Sequence, residues 1–71
     1  MSVDTEIIFL VEESSEGGYQ ARALGESILT EAENMTQLKE NVKEAVRTHF
    51  EDNKHPSIIR LHFVREELMK I

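Results

Sequence analysis

The hydrophobic pattern of the chain changes at Asn34. Before it, short apolar segments are separated by glycines, which indicates strands and turns. After it, apolar residues recur every three or four positions with charged residues on the opposite side, which predicts an amphipathic helix over residues 35–52. Asn34 is a suitable N-cap, and Gln37 can reciprocate in a variant of the capping box. Because the position before Pro56 disfavours helical geometry, the helix should end ahead of it.

The segments on either side of the helix predict four strands. Residues 5–13 are too short and too continuously apolar for an amphipathic helix, and they predict a central strand buried on both faces. Two glycines, Gly17 and Gly18, indicate a turn into a returning strand at 19–24. Gly25 and Glu26 indicate a two-residue type II′ turn into a third strand at 27–31. Residues 58–64 alternate as a fourth strand, and the residues up to 71 fit either a continuation of it or a short turn.

This order, β-β-β-α-β, predicts an α+β domain in which one helix packs on one face of a mixed sheet. A right-handed crossover through the helix places the fourth strand parallel to the first, so that the sheet order is 3-2-1-4. The small side chains of Ala21 and Ala23 allow close approach of the helix. The other side chains expected beneath it are Ile7, Phe9, Val11, Leu61 and Phe63. The opposite face of the sheet is then left uncovered.

Composition limits the classes of function. Seventy-one residues form a single small domain, and the absence of cysteine excludes disulfides and thiolate metal sites. Oligomerisation is the remaining common way to stabilise so small a core, so a homodimer or higher oligomer is expected. The net charge of −6 argues against a purely electrostatic nucleic-acid binder. No apolar run is long enough for a signal peptide or a membrane span, so a cytoplasmic protein is predicted.

Three segments, in order, resemble the HicB-like antitoxin family in its short single-domain form. They are FLVEESSEGGYQARALGE, ILTEAENMTQLKENVKEAVRTHF and IIRLHFVREEL, and the similarity extends from Ile7 to about Leu68. The resemblance implies a truncated ribonuclease H-like fold. It also implies a partner, a small basic mRNA ribonuclease of the HicA type that the antitoxin occludes. Full-length members carry a C-terminal operator-binding segment, which residues 1–71 lack, so a single domain without direct DNA binding is expected.

The ribonuclease H resemblance raises the question of catalysis. Metal-dependent cleavage of that kind needs acids on the first strand, the helix and the fourth strand. Residues 58–64 contain no acid, and Glu40 and Glu44 lie on the polar side of the predicted helix. The three histidines do not have the spacing of a zinc site. No catalytic residue, metal ligand or cofactor is therefore predicted, and the chain is not expected to be an enzyme.

The uncovered sheet face is the strongest indication of function. Alternation places Ile8 and Leu10 on it, and the residues on neighbouring strands complete a candidate interface of Ile8, Leu10, Arg22, Arg60 and His62. Alternatively, the long stems of Arg22 and Arg60 only cover the two aliphatic side chains in a monomer.

Residues 1–34 contain eight acids and a single base, Arg22. Among these acids, Glu12, Glu13 and Glu16 are candidates for steering a basic partner, or they only keep the protein soluble. Two functions remain open. The first is an antitoxin-like protein-interaction module that binds a HicA-type ribonuclease. The second is a stand-alone homo-oligomeric regulatory or small-ligand-binding domain without a toxin partner.

Overall fold

In the computed structural model, residues 5–50 and 54–71 are described. The elements in chain order are β1 (Glu6–Glu13), β2 (Tyr19–Ala23), β3 (Leu29–Ala32), α1 (Met35–His49) and β4 (Ile58–Phe63). The strands form one sheet in the order β3-β2-β1-β4, in which β1 pairs antiparallel with β2 and parallel with β4. The predicted α+β class, the strand order and the central position of β1 are confirmed. No helix in these residues is both long and apolar enough to cross a membrane.

The start of α1 agrees with the sequence pattern, and its first turn shows one difference. The backbone N–H of Gln37 donates to Asn34 Oδ1 at 2.8 Å, so the predicted N-cap is confirmed. The side chain of Gln37 does not reciprocate, because its Nε2 donates instead to Asn41 Oδ1 at 2.8 Å. Asn41 Nδ2 in turn donates to the backbone oxygen of Glu31 at 3.1 Å. These bonds tie the first turns of α1 to β3.

Other boundaries differ from prediction. Regular helix ends at His49, and Phe50 is an extended C-cap; the predicted helical residues 51 and 52 lie outside the described part of the chain. The type II′ turn at Gly25 is wrong, because residues 24–28 form a longer connection closed by a 3.0 Å bond from Ala23 N–H to the oxygen of Ile28. The Ile28 side chain is buried in the core, which draws this connection inward. Residues 64–71 form neither a strand nor a helix in the isolated chain.

The core lies between α1 and one face of the sheet. Its buried side chains are Ile7, Phe9, Val11, Ala21, Ala23, Ile28, Leu38, Val42 and Val46. The helix packs against β3 and β2, where the two alanines leave room for it. On β4, which lies farther away, Ile59 and Leu61 are only partly buried, and Phe63 is 55% exposed. The prediction that Phe63 belongs to the core is therefore wrong. Burial of β1 on both faces is also wrong, since Ile8 and Leu10 remain partly exposed in the single chain.

The β1–β2 turn supplies a test of the fold. Gly17 and Gly18 both have positive φ, of 95° and 84°, but their surroundings differ. A Cβ on Gly17 would meet nothing within 4 Å, whereas one on Gly18 would lie 2.5 Å from the backbone oxygen of Ala32. That oxygen belongs to the last residue of β3, which pairs with Tyr19, so it has little freedom to move.

We therefore expect Gly17→Ala to lower the free energy of unfolding by about 1–2 kcal/mol, the cost of a left-handed conformation. Gly18→Ala should lower it by clearly more, because it adds overlap with backbone to the same strain. Urea denaturation followed by circular dichroism measures both losses, with Gly17→Ala as the matched control. Equal losses would contradict the close approach of β3 to this turn.

Candidate functional site

The candidate site is the face of the sheet opposite α1, which no described element covers. Pairing in the sheet places Leu10 directly between Arg22 of β2 and His62 of β4. It also places Ile8 beside Arg60. The structure therefore brings together all five residues that the sequence assigned to an interface. Ile8 and Leu10 are half-buried, and the three polar side chains around them are exposed.

Three further apolar side chains enlarge this surface. Leu29 of β3 lies opposite Arg22 and is 63% exposed. The backbone N–H of Leu24 donates to the oxygen of Ile8 at 2.9 Å, and Ile58 pairs with Glu6 at the start of β1. Sequence analysis did not include these residues in the interface. Ile58 shares its alternation with Arg60, and Leu24 shares its alternation with Arg22, so both could have been found; Leu29 follows only from the observed register of β2 and β3. We call Ile8, Leu10, Leu24, Leu29 and Ile58, with the polar residues around them, the open face.

One ion pair fixes a polar side chain on the open face. Arg60 donates through Nε to Glu6 Oε1 and through Nη2 to Glu6 Oε2, the latter at 3.4 Å. This hydrogen bonding and the charge of the guanidinium lower the pKa of Glu6 and raise the pKa of Arg60. The guanidinium is thereby held towards the start of β1 and away from Leu10. Arg22 forms no ion pair with any residue of the described ranges.

The acids assigned to steering lie near one end of the sheet. Glu12 and Glu13 line a hollow where β1 and β4 end, and Glu66 and Glu67 line it as well. Glu16 is not part of this lining; it lies in the β1–β2 turn, where its N–H donates to Ser14 Oγ at 3.3 Å. Glu12 also belongs to the open face, since its position alternates with Leu10 along β1. The open face is therefore bordered by negative charge where β1 ends.

The remaining charged groups form ordinary surface pairs. On α1, Glu40 and Glu44 are exposed and lie 3.9 Å and 4.0 Å from Lys43 and Arg47, respectively. Such exposed pairs contribute little to stability. His49 Nε2 lies 3.1 Å from Glu26 Oε2, and its ring meets Phe50 edge to face. Within residues 5–50 and 54–71, no three His, Asp or Glu side chains are grouped so that they could hold a metal ion.

The chain is similar to two proteins that carry the name UPF0150 protein. The relative from Archaeoglobus fulgidus is 54% identical over 52 residues, which cover 73% of this chain and 77% of the relative. The relative from Thermotoga maritima is 33% identical over 66 residues, which cover 93% of each chain. A search of family models found no match. No solved structure matches the chain either.

The Glu6–Arg60 pair can be tested by titration. We expect the Glu6 carboxyl, followed by ¹³C NMR, to titrate below the ordinary glutamate value of about 4.3. Arg60→Gln should move its titration up to that value, because the guanidinium is removed. Arg22→Gln, on the same face, is the matched control and should leave Glu6 unchanged.

The sign of the stability effect follows from the same pair. A lowered pKa in the folded state stabilises the protein above the ordinary pKa, and this contribution is lost as pH falls through the lowered value. Arg60→Gln should therefore make the free energy of unfolding less dependent on pH, and this change should be confined to the acid range. Identical Glu6 titrations in wild type and Arg60→Gln would show that the pair does not persist in solution.

Proposed function

The chain belongs to the UPF0150 protein family, and we propose that it acts as an antitoxin-like module that binds and occludes a small basic mRNA ribonuclease of the HicA type. The observation that carries this proposal is the open face. Exposed aliphatic side chains surrounded by polar groups are characteristic of protein-binding surfaces. Here the apolar residues come from β1, β3 and β4 and from the residue that follows β2, and they lie on the same face of one hydrogen-bonded sheet.

Leu10 is the natural centre of contact on this face. It lies on the central strand with a cationic or polar side chain on each side, Arg22 and His62. A few residues near the centre of a contact, enclosed by a rim that excludes water, supply most of the binding energy in protein interfaces. Arg22 adds a guanidinium that is free of ion pairs with the described residues, and it can bind a carboxylate or a backbone carbonyl of the partner.

The distribution of charge favours a basic partner. Acids border the open face where β1 ends, and residues 1–34 contain eight acids against one base. A surface of one sign accelerates encounter with a protein of opposite sign and repels polyanions such as RNA. Steering of this kind affects the association rate more than the final affinity, so the apolar contact is still required to hold the complex.

The resemblance to HicB-like antitoxins supports the same role. Its first segment corresponds to the β1–β2 hairpin and its last to β4, the elements that build the open face. The proposed role is binding and not ribonuclease H-type catalysis, since β4 carries no acid and the helix acids Glu40 and Glu44 are exposed and paired with Lys43 and Arg47. A protein that occludes an mRNA ribonuclease has to meet it in the cytoplasm, and a cytoplasmic location is part of the proposal.

One observation favours the alternative of a small-ligand domain. A groove of about 510 Å³ runs between α1 and β4, and it is lined by apolar side chains and by the charged Lys39, Glu40 and Lys43. This volume lies within the range of small-molecule sites. A stand-alone homo-oligomeric domain could hold a small apolar ligand here. Substitutions on the open face distinguish the two functions. They should abolish binding of a protein partner, but they should not affect a ligand in the groove, which is on the other side of the sheet.

The open face can be tested with a candidate toxin, a small basic ribonuclease encoded beside this chain. Wild type should rescue growth when the two are co-expressed and should form a complex on size exclusion. Leu10→Asp and Leu29→Asp should each weaken binding at least about tenfold, because they place a charge in an apolar contact. Leu29 is the more exposed of the two, so its replacement keeps the test valid if Leu10→Asp fails to fold.

The matched control is Leu68→Asp, the same substitution at an exposed leucine outside the open face. It should bind the ribonuclease as wild type does. If no rescue and no complex occur while both proteins are folded, the antitoxin role is rejected for this chain. If both Leu10→Asp and Leu29→Asp still bind the ribonuclease as wild type does, the contact lies on another surface.

Steering can be tested separately by charge reversal. Replacing Glu12, Glu13 and Glu16 with lysine should lower the association rate more than it raises the dissociation rate, and the wild-type rate should fall as salt increases. Replacing Glu33, Glu40 and Glu44 with lysine changes the net charge by the same amount and serves as the control. Equal effects of the two sets on the rate, measured by stopped flow, would show that only net charge matters.

A further inference from the structure

The outer edge of β4 presents backbone groups that no described strand pairs with. The N–H groups of Ile58 and Val64 donate to the oxygens of Thr5 and Val11, so even-numbered residues of β4 direct their backbone groups towards β1. Because these directions alternate along a strand, odd-numbered residues such as Leu61 and Phe63 direct theirs outwards. An edge of this kind is a template for pairing with another strand.

The chain leaves the body of the fold beyond Glu67. After the bond from Val64 N–H to Val11, residues up to Ile71 belong to no regular element, and Leu68 and Met69 are 99% and 88% exposed. Arg65 Nη2 lies 3.2 Å from Glu67 Oε1. Contact between side chains two residues apart is expected of extended backbone, where both lie on the same side. This segment therefore continues roughly as β4 runs, and no described residue pairs with it as a neighbouring strand.

Residues 61–71 have an approximately symmetric sequence about Glu66. Residues at equal distances before and after Glu66 have side chains that can pair with each other. Residues at equal distances on the two sides form the pairs Leu61 and Ile71, His62 and Lys70, Phe63 and Met69, Val64 and Leu68, and Arg65 and Glu67. Each apolar residue is matched by an apolar one, and the basic Arg65 by the acidic Glu67. Antiparallel pairing with an identical segment brings together residues related in this way.

We propose that residues 61–71 of two copies of this chain pair as antiparallel strands about a two-fold axis at Glu66. The occupant of the free β4 edge is thus a second copy, and the dimer joins the two sheets edge to edge. Leu61 and Phe63 lie against Ile71 and Met69 of the second copy on the α1 side, and Val64 lies against Leu68 on the other side. Arg65 of each copy lies opposite Glu67 of the other.

Strand geometry and side-chain chemistry together disfavour the neighbouring registers. Facing residues must share a side of the sheet, and only odd-numbered residues have backbone groups free to bond outwards, so the axis has to pass through a single residue. An axis at Arg65 would place the two arginines together and Phe63 opposite Glu67. An axis at Glu67 would place Arg65 opposite Met69 and Val64 opposite Lys70. Pairing about Glu66 leaves one unfavourable contact, between the two Glu66 side chains.

This pairing is independent of the proposed antitoxin role. It uses the β4 edge and the residues after it, and it leaves Leu10 and Leu29 of each copy accessible on the open face. Leu68→Asp should therefore break the dimer and preserve ribonuclease binding, whereas Leu29→Asp should do the opposite. Failure of one proposal can thus be distinguished from failure of the other.

The charge pairs provide the sharpest test. Wild type should have twice the monomer mass by light scattering at micromolar concentration. Arg65→Glu and Glu67→Arg should each raise the dimer dissociation constant about tenfold or more, because each places like charges opposite one another twice. An equal mixture of the two variants should dimerise again, since the first supplies two acids and the second two bases. Neither chain regains its internal Arg65–Glu67 pair, so recovery reports contact between chains.

Crosslinking tests the position of the axis. The chain contains no cysteine, so Glu66→Cys places a single thiol in each copy, and the two thiols meet at the axis within reach of a disulfide. Mild oxidation should convert Glu66→Cys to a covalent dimer much faster than Lys70→Cys, whose thiols lie on opposite sides of the axis. Circular dichroism confirms that all variants are folded.

Results of three kinds would overturn the proposal. One is a wild-type protein that remains monomeric at every concentration reached. The second is a dimer that persists unchanged in both charge variants, which places the interface elsewhere. The third is failure of the mixed variants to pair, or equal crosslinking of Glu66→Cys and Lys70→Cys, which excludes the axis at Glu66.

Discussion

A single helix can cover only one face of a four-stranded sheet, and the rest of this structure follows from that limit. A helix with its side chains is about 10 Å wide, whereas four strands spaced about 4.8 Å apart form a wider surface. The position of α1 across the sheet therefore decides which residues are buried. The bonds from Gln37 through Asn41 to the backbone of β3 hold its first turns at that edge. Ala21 and Ala23 let it approach β2 closely, and β4 is left partly bare.

The sequence was sufficient for the topology because the two hydrophobic periods are distinct. The unbroken apolar run at β1 and the glycines at 17 and 18 define the first hairpin, and the helical spacing after Asn34 requires a crossover to β4. Alternation along β1 then assigned Ile8 and Leu10 to the uncovered face, and the sheet pairing confirmed that Arg22, Arg60 and His62 lie around them. Each of these inferences depends on local spacing, which a sequence records directly.

The predictions from sequence failed where burial depends on which strands α1 covers. Phe63 has the correct parity for the core, but parity cannot show that α1 lies over β3 and β2. Ile28 follows a glycine-containing turn signal, yet its burial under the helix outweighs the preference for a tight hairpin. Leu29 joined the open face only once the β2–β3 register was known. Such features depend on contacts between distant elements and are not visible in a short sequence window.

The two proposed surfaces lie on different parts of the sheet and approach each other only at its acidic end. Glu12, Glu13, Glu66 and Glu67 line one hollow, and the proposed axis passes through Glu66. Pairing of two copies therefore brings both acidic ends together, and this repulsion has to be outweighed by the charge pairs and the apolar pairs on either side of the axis. Leu10 and Leu29, which are proposed to hold a basic partner, stay outside that contact. Because the two contacts use different residues, each can be broken by a substitution that leaves the other in place.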